Sequence, residues 1–458
     1  MNKWVLMAAI AFSTVGAAAA PSPEQDFVQE HSETVNRIIK AARADTLGFS
    51  RLEYMCDMFG PRLCGSEGLE RALDWIYAEM KADKFDDVKS EPVMVPHWVR
   101  GEESLEMTYP RAARLNVLGL GGTIATPPEG ITAQVLVVKD FDELRAAGDR
   151  ARGKIVVYNE PFKSYGQAVQ YRFGGAVEAA KAGAVASLAR SVTPHSHETP
   201  HTGVMFYDDT VKKIPHASIT GEAADLLTRM QARGVTPTLT LKLGAQTLPD
   251  AESRNVYCEL RGRELPDEII AGGGHTDSWD VGTGAHDDAS GVLAVWDAVR
   301  LLKDLGIKPK RTIRAVGWVN EENGTRGGKD YADKHKNEKH VLLFEFDSGC
   351  FAPETIGFSG PEALTDYVKG FEPLLARIGD VKTSNHGGGV DIGPMVRQGN
   401  VPAMSLSPRD EGKYFWYHHS AADTPEKINP EDYRNCVAAI AVALYLYSEY
   451  PEEIKGNK

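Results

Sequence analysis

Long apolar runs and excess positive charge are both scarce in this chain of 458 residues. Beyond the first twenty residues no long apolar stretch occurs, so no membrane span is expected. Lys and Arg together number 51 against 64 Asp and Glu, for a formal net charge of −13. That balance argues against nucleic acid or an anionic membrane as a partner. Cysteine is confined to Cys56, Cys64, Cys258, Cys350 and Cys436. None of them forms a Cys-x-x-Cys pair, so a thiolate zinc site is not expected. Internal repeats and low-complexity segments are also missing. What remains, 42% hydrophobic and 25% charged, is ordinary globular composition, long enough for more than one domain.

Residues 1–20 join one positive charge to a short apolar stretch and an Ala-x-Ala end, the pattern of a secretory signal peptide. The stretch is too short and too rich in Ala for a good membrane span. No Cys stands at the expected cut, so no lipid anchor is expected. The reading is an exported protein, periplasmic or extracellular, whose mature chain starts near Ala20 or Pro21. Export permits disulfides, and Cys56 with Cys64, flanking Gly60-Pro61, is the best local pair; five reduced buried thiols are the alternative.

From Pro21 to about Arg114 the apolar spacing is mostly helical, with Phe27, Val28, Val35, Ile38 and Ile39 on one face and Leu69, Leu73, Ile76 and Met80 on another. Ser66 is placed to cap the second of these helices. Composition shifts near Leu115. Residues 116–250 read as an inserted β-rich domain with strands at Val117–Thr123, Ala133–Val138, Lys154–Tyr158 and Thr238–Leu243, and a small-residue helix at Ala176–Ala189. After Asp250, strands alternate with helices: Thr312–Val319, Val341–Phe346 and Val401–Leu406 as strands, Gly327–His335 and Glu431–Tyr447 as helices. The expected fold is α/β, with a mixed, mainly parallel sheet flanked by helices; residues 21–115 and 251–458 form one catalytic domain around the insertion.

The chemistry centres on Gly272 to Gly291, where His275, Asp277, Asp280, Asp287 and Asp288 are threaded through glycines that allow tight turns. A buried strand, Ile269-Ile270-Ala271, precedes this stretch and a helix through Val292, Val295, Trp296, Val299 and Leu302 follows it. Other strand ends also carry His, Asp or Glu: Glu321 and Glu322, Asp347, and His418 and His419. In an open α/β sheet that edge is where ligands bind, so these residues can converge. Imidazole and carboxylate ligands suit zinc and tolerate cobalt or manganese. Two metals would need one shared carboxylate. Of the Glu321-Glu322 pair, one can bind metal while the other stays free as a general base.

Gly274-His-Thr-Asp277, Ala285-His-Asp-Asp-Ala-Ser-Gly291, Glu321-Glu322, Asp347 and His419-Ser-Ala-Ala-Asp-Thr424 together resemble the dizinc exopeptidases of peptidase family M28. Ser278-Trp-Asp-Val-Gly-Thr-Gly-Ala, Ser191 with Pro200-His-Thr-Gly203, and Tyr414-Phe-Trp-Tyr-His-His-Ser420 resemble its carboxypeptidase Q branch. The resemblance implies that the insertion is a protease-associated domain and that the protein is a homodimer. It also implies two Zn2+, with Asp287 bridging them, His275 and Asp347 completing one site, and Glu322 and His419 the other. His419 is preferred over His418 because relatives place this ligand four residues before the Asp-Thr pair. Glu321 becomes the base that takes a proton from a metal-bridging water. Asp277 matches a carboxylate that fixes the His275 tautomer and raises its basicity. A cis peptide after Asp287 is common in the family.

Tyr414 and His418 read as substrate contacts, with core or pocket packing the equal alternative; His201 matches the branch motif as a further contact, with a solvated polar loop, shared with His195 and His197, its bland reading. His195 and His197 read as a solvated loop, His286 receives no role, and Cys350 reads as a buried inert thiol. The implied function is hydrolysis of short peptides, in particular unblocked dipeptides. A broader aminopeptidase is the nearest alternative. A catalytically silent binding protein on the same fold is disfavoured because all five ligands and the base are kept. A single-zinc glutaminyl cyclase is disfavoured because such enzymes generally lack the insertion.

Overall fold

Three amphipathic helices open the structure, a computed structural model that describes residues 23–454. The signal peptide expected at residues 1–20 lies outside that range. The helices span Pro23–Ala44, Leu47–Phe59 and Glu67–Ala82. The Ser66 hydroxyl caps the third by accepting the Leu69 N–H, as its sequence position predicts. The helix then buries Leu69, Ala72, Leu73, Ile76 and Met80. The helical pattern stops there. Asp87–Val99 and Glu103–Tyr109 are strands, where the sequence was read as mostly helical to Arg114. Their half-buried faces pair with strands more than a hundred residues away, and tertiary pairing overrides the local pattern.

Two eight-stranded sheets follow. The first runs in the order Asp87–Val99, Gln246–Leu260, Arg311–Trp318, Leu265–His275, Lys339–Glu345, Ala403–Pro408, Pro353–Ser359, Lys382–Ser384. Its central four, from Arg311–Trp318 to Ala403–Pro408, are parallel neighbours, and antiparallel pairs lie outside them. The sheet is therefore mixed, and its central strands are buried on both faces, as parallel strands require. Helix Ser290–Asp304 buries Val292, Leu293, Val295, Trp296, Val299 and Leu302, each contributing about 1.5–3 kcal/mol. Helix Pro430–Ser448 packs beside it and closes the chain.

Gly272, Gly273 and Gly274 lie inside the strand Leu265–His275, not in a turn as the sequence suggested. The reason is close approach. A Cβ on Gly273 would fall 1.8 Å from the Val316 carbonyl oxygen, and one on Gly274 would fall 2.0 Å from Asp288 Oδ2. Turns are made instead by Gly282 and Gly284, both at positive φ.

The second sheet draws strands from Glu103–Tyr109 to Thr238–Leu243, beginning earlier than the residue 116 boundary expected. Ala186–Arg190 is one of its parallel strands; the helix expected to reach Ala189 spans Tyr165–Lys181 instead. The two sheets meet at Arg100, whose guanidinium pairs with Asp280 at 2.6 Å, and where the Thr202 N–H donates to the His419 carbonyl at 2.9 Å. No disulfide crosslinks Cys56 and Cys64: both thiols are free and buried, and Cys64 Sγ points away to Asp277 Oδ2 at 3.5 Å. Among the described residues no helix is long and apolar enough to cross a membrane.

Candidate metal centre

The parallel strands of the first sheet deliver their carboxyl ends to one place. His275 ends the strand Leu265–His275, Glu321 and Glu322 follow Arg311–Trp318, and Asp347 follows Lys339–Glu345. Asp287 sits in the turn Ala285–Ala289, just before helix Ser290–Asp304, with a cis bond to Asp288. His418 and His419 leave the short helix Tyr414–Tyr417.

Asp287 is the hub. Its Oδ1 lies 3.2 Å from His275 Nε2, and its Oδ2 lies 3.3 Å from His419 Nε2. His419 Nε2 is also 3.0 Å from Glu322 Oε2, and His275 Nε2 is 3.9 Å from Asp347 Oδ1. One carboxylate thus faces two imidazoles, and each imidazole faces a second carboxylate. His418 stacks on His419 with ring centroids 3.6 Å apart, but its Nε2 reaches only Asp287, at 3.7 Å. Asp288 is near the cluster yet already engaged: it accepts the His275 and Gly291 N–H groups at 3.1 and 3.0 Å. Asp280 is held by Arg100.

The electrostatics point to a cation. Burial opposes charge on both imidazoles, but the carboxylates outweigh it: Asp287 lifts His275 well above its usual range, and Glu322 with Asp287 lifts His419 to about 10. Burial, with Asp287 beside each, pushes Glu322 and Asp347 up to about 7. Burial also raises Glu321. Glu322 Oε1 and Asp347 Oδ1 are buried with no hydrogen-bond donor. Orphaned buried acceptors of this kind are costly unless a positive charge meets them. Ligand atoms lie within 4.8 Å of one another in three overlapping sets: His275, Asp287 and Glu322; Asp287, His418 and His419; and His275, Asp288 and Asp347. All-nitrogen and oxygen donors at this density fit divalent zinc, cobalt or manganese.

The neighbours that orient this centre differ in part from expectation. His275 Nδ1 lies 2.9 Å from the Asp277 backbone carbonyl, so the main chain fixes the tautomer; the Asp277 carboxylate is 3.8 Å away. That carboxylate instead accepts the N–H groups of Asn320, Glu321 and Glu322. Asp423, used in the sequence only as a landmark, accepts the His286 and Asp287 N–H groups at 2.7 and 3.1 Å. Arg62 is wholly buried and donates to the carbonyls of Gly60, Thr276, Thr283 and Gly284. No sequence feature gave Arg62 or Asp423 a role of its own, because their partners are distant in sequence.

Glu321, Tyr414 and His418 line a cleft of about 430 Å³ over the centre. The second sheet's layer also lines it, as an insertion over the strand ends implies, through Tyr165, Arg172, Phe173 and Phe206, none of which the sequence singled out. His201 is buried behind His418, its Nδ1 2.6 Å from the His418 carbonyl, and burial lowers it to about 3. His195 and His197 are exposed and pack around Trp416. His286 stacks between Phe351 and Tyr417, and Cys350 is buried.

Residues 255–444 match the model of peptidase family M28. The chain is 44% identical to carboxypeptidase Q of Homo sapiens over 412 residues, 90% of this chain and 87% of that protein. Carboxypeptidase Q of Rattus norvegicus is 46% identical over 406 residues, 88% and 86% of the two chains. Among solved structures, a peptidase M28 precursor from Shewanella amazonensis SB2B superposes with a TM-score of 0.89 at 34% identity, covering 94% of this chain and 99% of that one.

Proposed function

Because this chain belongs to peptidase family M28, in its carboxypeptidase Q branch, it is a metallo-exopeptidase, and we propose that it is an exported dizinc enzyme hydrolysing unblocked dipeptides. Export rests on the signal-like residues 1–20. The second sheet with its helices is read as a protease-associated domain, and the homodimer expected of the branch is kept as part of the same reading.

Asp287 would be shared between two ions, His275 and Asp347 would hold one, and Glu322 and His419 the other. The bound metals would supply Lewis-acid polarisation of the scissile carbonyl and acidification of water. Glu321 is the general base. Its carboxylate lines the cleft beside the ligands and makes no side-chain hydrogen bond among the described residues, so it is free to take a proton and return it to the leaving amine. Asp277 holds Glu321 in place through the backbone.

One observation carries the choice of substrate. Tyr165, Arg172, Phe173 and Phe206 of the second sheet's layer line the same cleft as Glu321 and Asp347, so that layer bounds the cleft and limits the length of chain that fits. Rates on Ala-Phe, acetyl-Ala-Phe, Ala-Phe-amide and a decapeptide test the reading. Ala-Phe is expected to be cleaved much faster than the other three. Cleavage of the amide as fast as the free acid would favour a broader aminopeptidase instead.

A further inference from the structure

Arg172 is a buried cation that the fold does not neutralise. It lies on helix Tyr165–Lys181 with 3% of its surface exposed, and it lines the cleft. Other buried arginines have carboxylate partners: Arg51 pairs with Asp83, Arg300 with Asp297, Arg311 with Glu268 and Arg314 with Glu259. Arg62 spends its donors on four backbone carbonyls. Arg172 makes no ion pair among the described residues. Its Nη2 donates to the Tyr165 hydroxyl at 2.8 Å, its Nη1 makes a long contact to the Thr202 carbonyl at 3.4 Å, and its Nε has no partner.

Nor does His419 satisfy it. Nη1 lies 3.3 Å from His419 Nδ1, but His419 presents Nε2 to Glu322 and Asp287. An imidazole that offers Nε2 as a ligand carries its proton on Nδ1, so that atom has no lone pair for Arg172. Both groups turn to the Thr202 carbonyl, which is 3.3 Å from Nδ1. Space for the guanidinium is built in: a Cβ on Gly203 would fall 2.3 Å from Nη1.

We propose that Arg172 binds the free α-carboxylate of the substrate's last residue, and so selects peptides with a single residue beyond the scissile bond. This rests on the hydrolytic reading given above. A planar guanidinium with its Nε–H and one N–H on each Nη unspent matches a carboxylate bidentately, and a buried lone cation is stabilised when an anion arrives. The placement agrees. The guanidinium touches one edge of the His419 ring, and the other edge faces Asp287 and Glu322. The Tyr165 hydroxyl and the face of the Phe173 ring, 5.0 Å from the guanidinium carbon, steady the guanidinium, while Phe206 adds apolar lining to the cleft.

The test compares wild type with R172M and R172K on Ala-Phe and Ala-Phe-amide, with metal content measured for each protein. In R172M, kcat/KM for Ala-Phe is expected to fall about 30- to 100-fold, mainly through KM. The preference for free acid over amide should collapse toward one, with metal content as in wild type. R172K should retain an intermediate preference, and inhibition by phenylalanine over phenylalaninamide should weaken in the same order. A fall of equal size on both substrates, leaving the preference intact, would overturn the proposal and make Arg172 a support for His419. Should R172M lose metal, R172K decides: an unchanged preference there counts against the carboxylate contact. A wild-type enzyme that cleaves both substrates equally would sink the dipeptide reading itself, whatever the variants do.

Discussion

The Asp277 carboxylate accepts the backbone N–H groups of Asn320, Glu321 and Glu322, at 2.7, 3.2 and 3.3 Å, and so fastens the end of one strand to the turn after the next. The base and a ligand thereby take their positions from a residue that touches neither side chain. Replacing Asp277 by Asn keeps its volume but exchanges one acceptor oxygen for a donor that faces N–H groups. Turnover is expected to fall about 10- to 100-fold. Metal content alongside kcat shows whether Glu322 moved together with Glu321; wild-type kinetics in Asp277→Asn would remove the argument.

Glu321→Gln removes a proton acceptor and leaves the ligand set untouched. Metal should stay at about two ions per chain while kcat falls about 100-fold or more. Asp287→Ala should lose metal, because both imidazoles face that carboxylate. Elemental analysis after gel filtration decides. If Glu322→Gln kept its metal and Glu321→Gln lost it, the two roles would be exchanged.

Gly274→Ala puts a methyl group 2.0 Å from Asp288 Oδ2 and 2.8 Å from the Val292 nitrogen. Strand and helix would have to separate. A loss of about 1–3 kcal/mol is expected, from overpacking in a rigid layer. The thermal midpoint should drop, and so should metal occupancy, since Asp288 anchors the His275 backbone. A midpoint equal to wild type would mean that the layer yields more easily than its packing implies.

Far from the centre, Glu338 meets Arg314 at 2.8 Å and His335 at 3.1 Å. Burial works against its charge, but His335 and Arg314 outweigh burial and hold it at about 2 against an ordinary 4.5. A depressed carboxyl contributes stability that is present above pH 4.5 and lost as pH falls toward 2. Glu338→Gln should therefore be less stable than wild type at pH 6, with the gap closing between pH 4.5 and 2. Denaturant melts at several pH values give the difference curve, and a gap that stayed constant with pH would contradict the assignment.

The chemistry was legible in the sequence because it depends on residue type at strand ends. His275, Glu321, Glu322 and Asp347 stand where a strand's apolar run stops, Asp287 in the turn before a helix and His419 after a short one, and the alternation of strand and helix puts those ends on one edge. Helix Glu67–Ala82 was legible for a local reason too, since its cap and apolar stripe lie within one stretch. What depends on contacts between distant segments was not legible. Asp87–Val99 becomes a strand only because Gln246–Leu260 lies beside it. Cys56 and Cys64 are near in sequence, yet the fold turns Cys64 toward Asp277 and leaves both thiols free. The three glycines before His275 suggested a turn, and only the neighbouring strands and the helix packed against them explain their absence of side chains. Arg172 is one arginine among many in the sequence. It becomes a binding candidate only when the fold buries it without an anion and sets it against the far edge of His419. Residue chemistry is a local property that the sequence carries by itself, whereas burial and partnership are properties of two segments at once, decided when the chain folds.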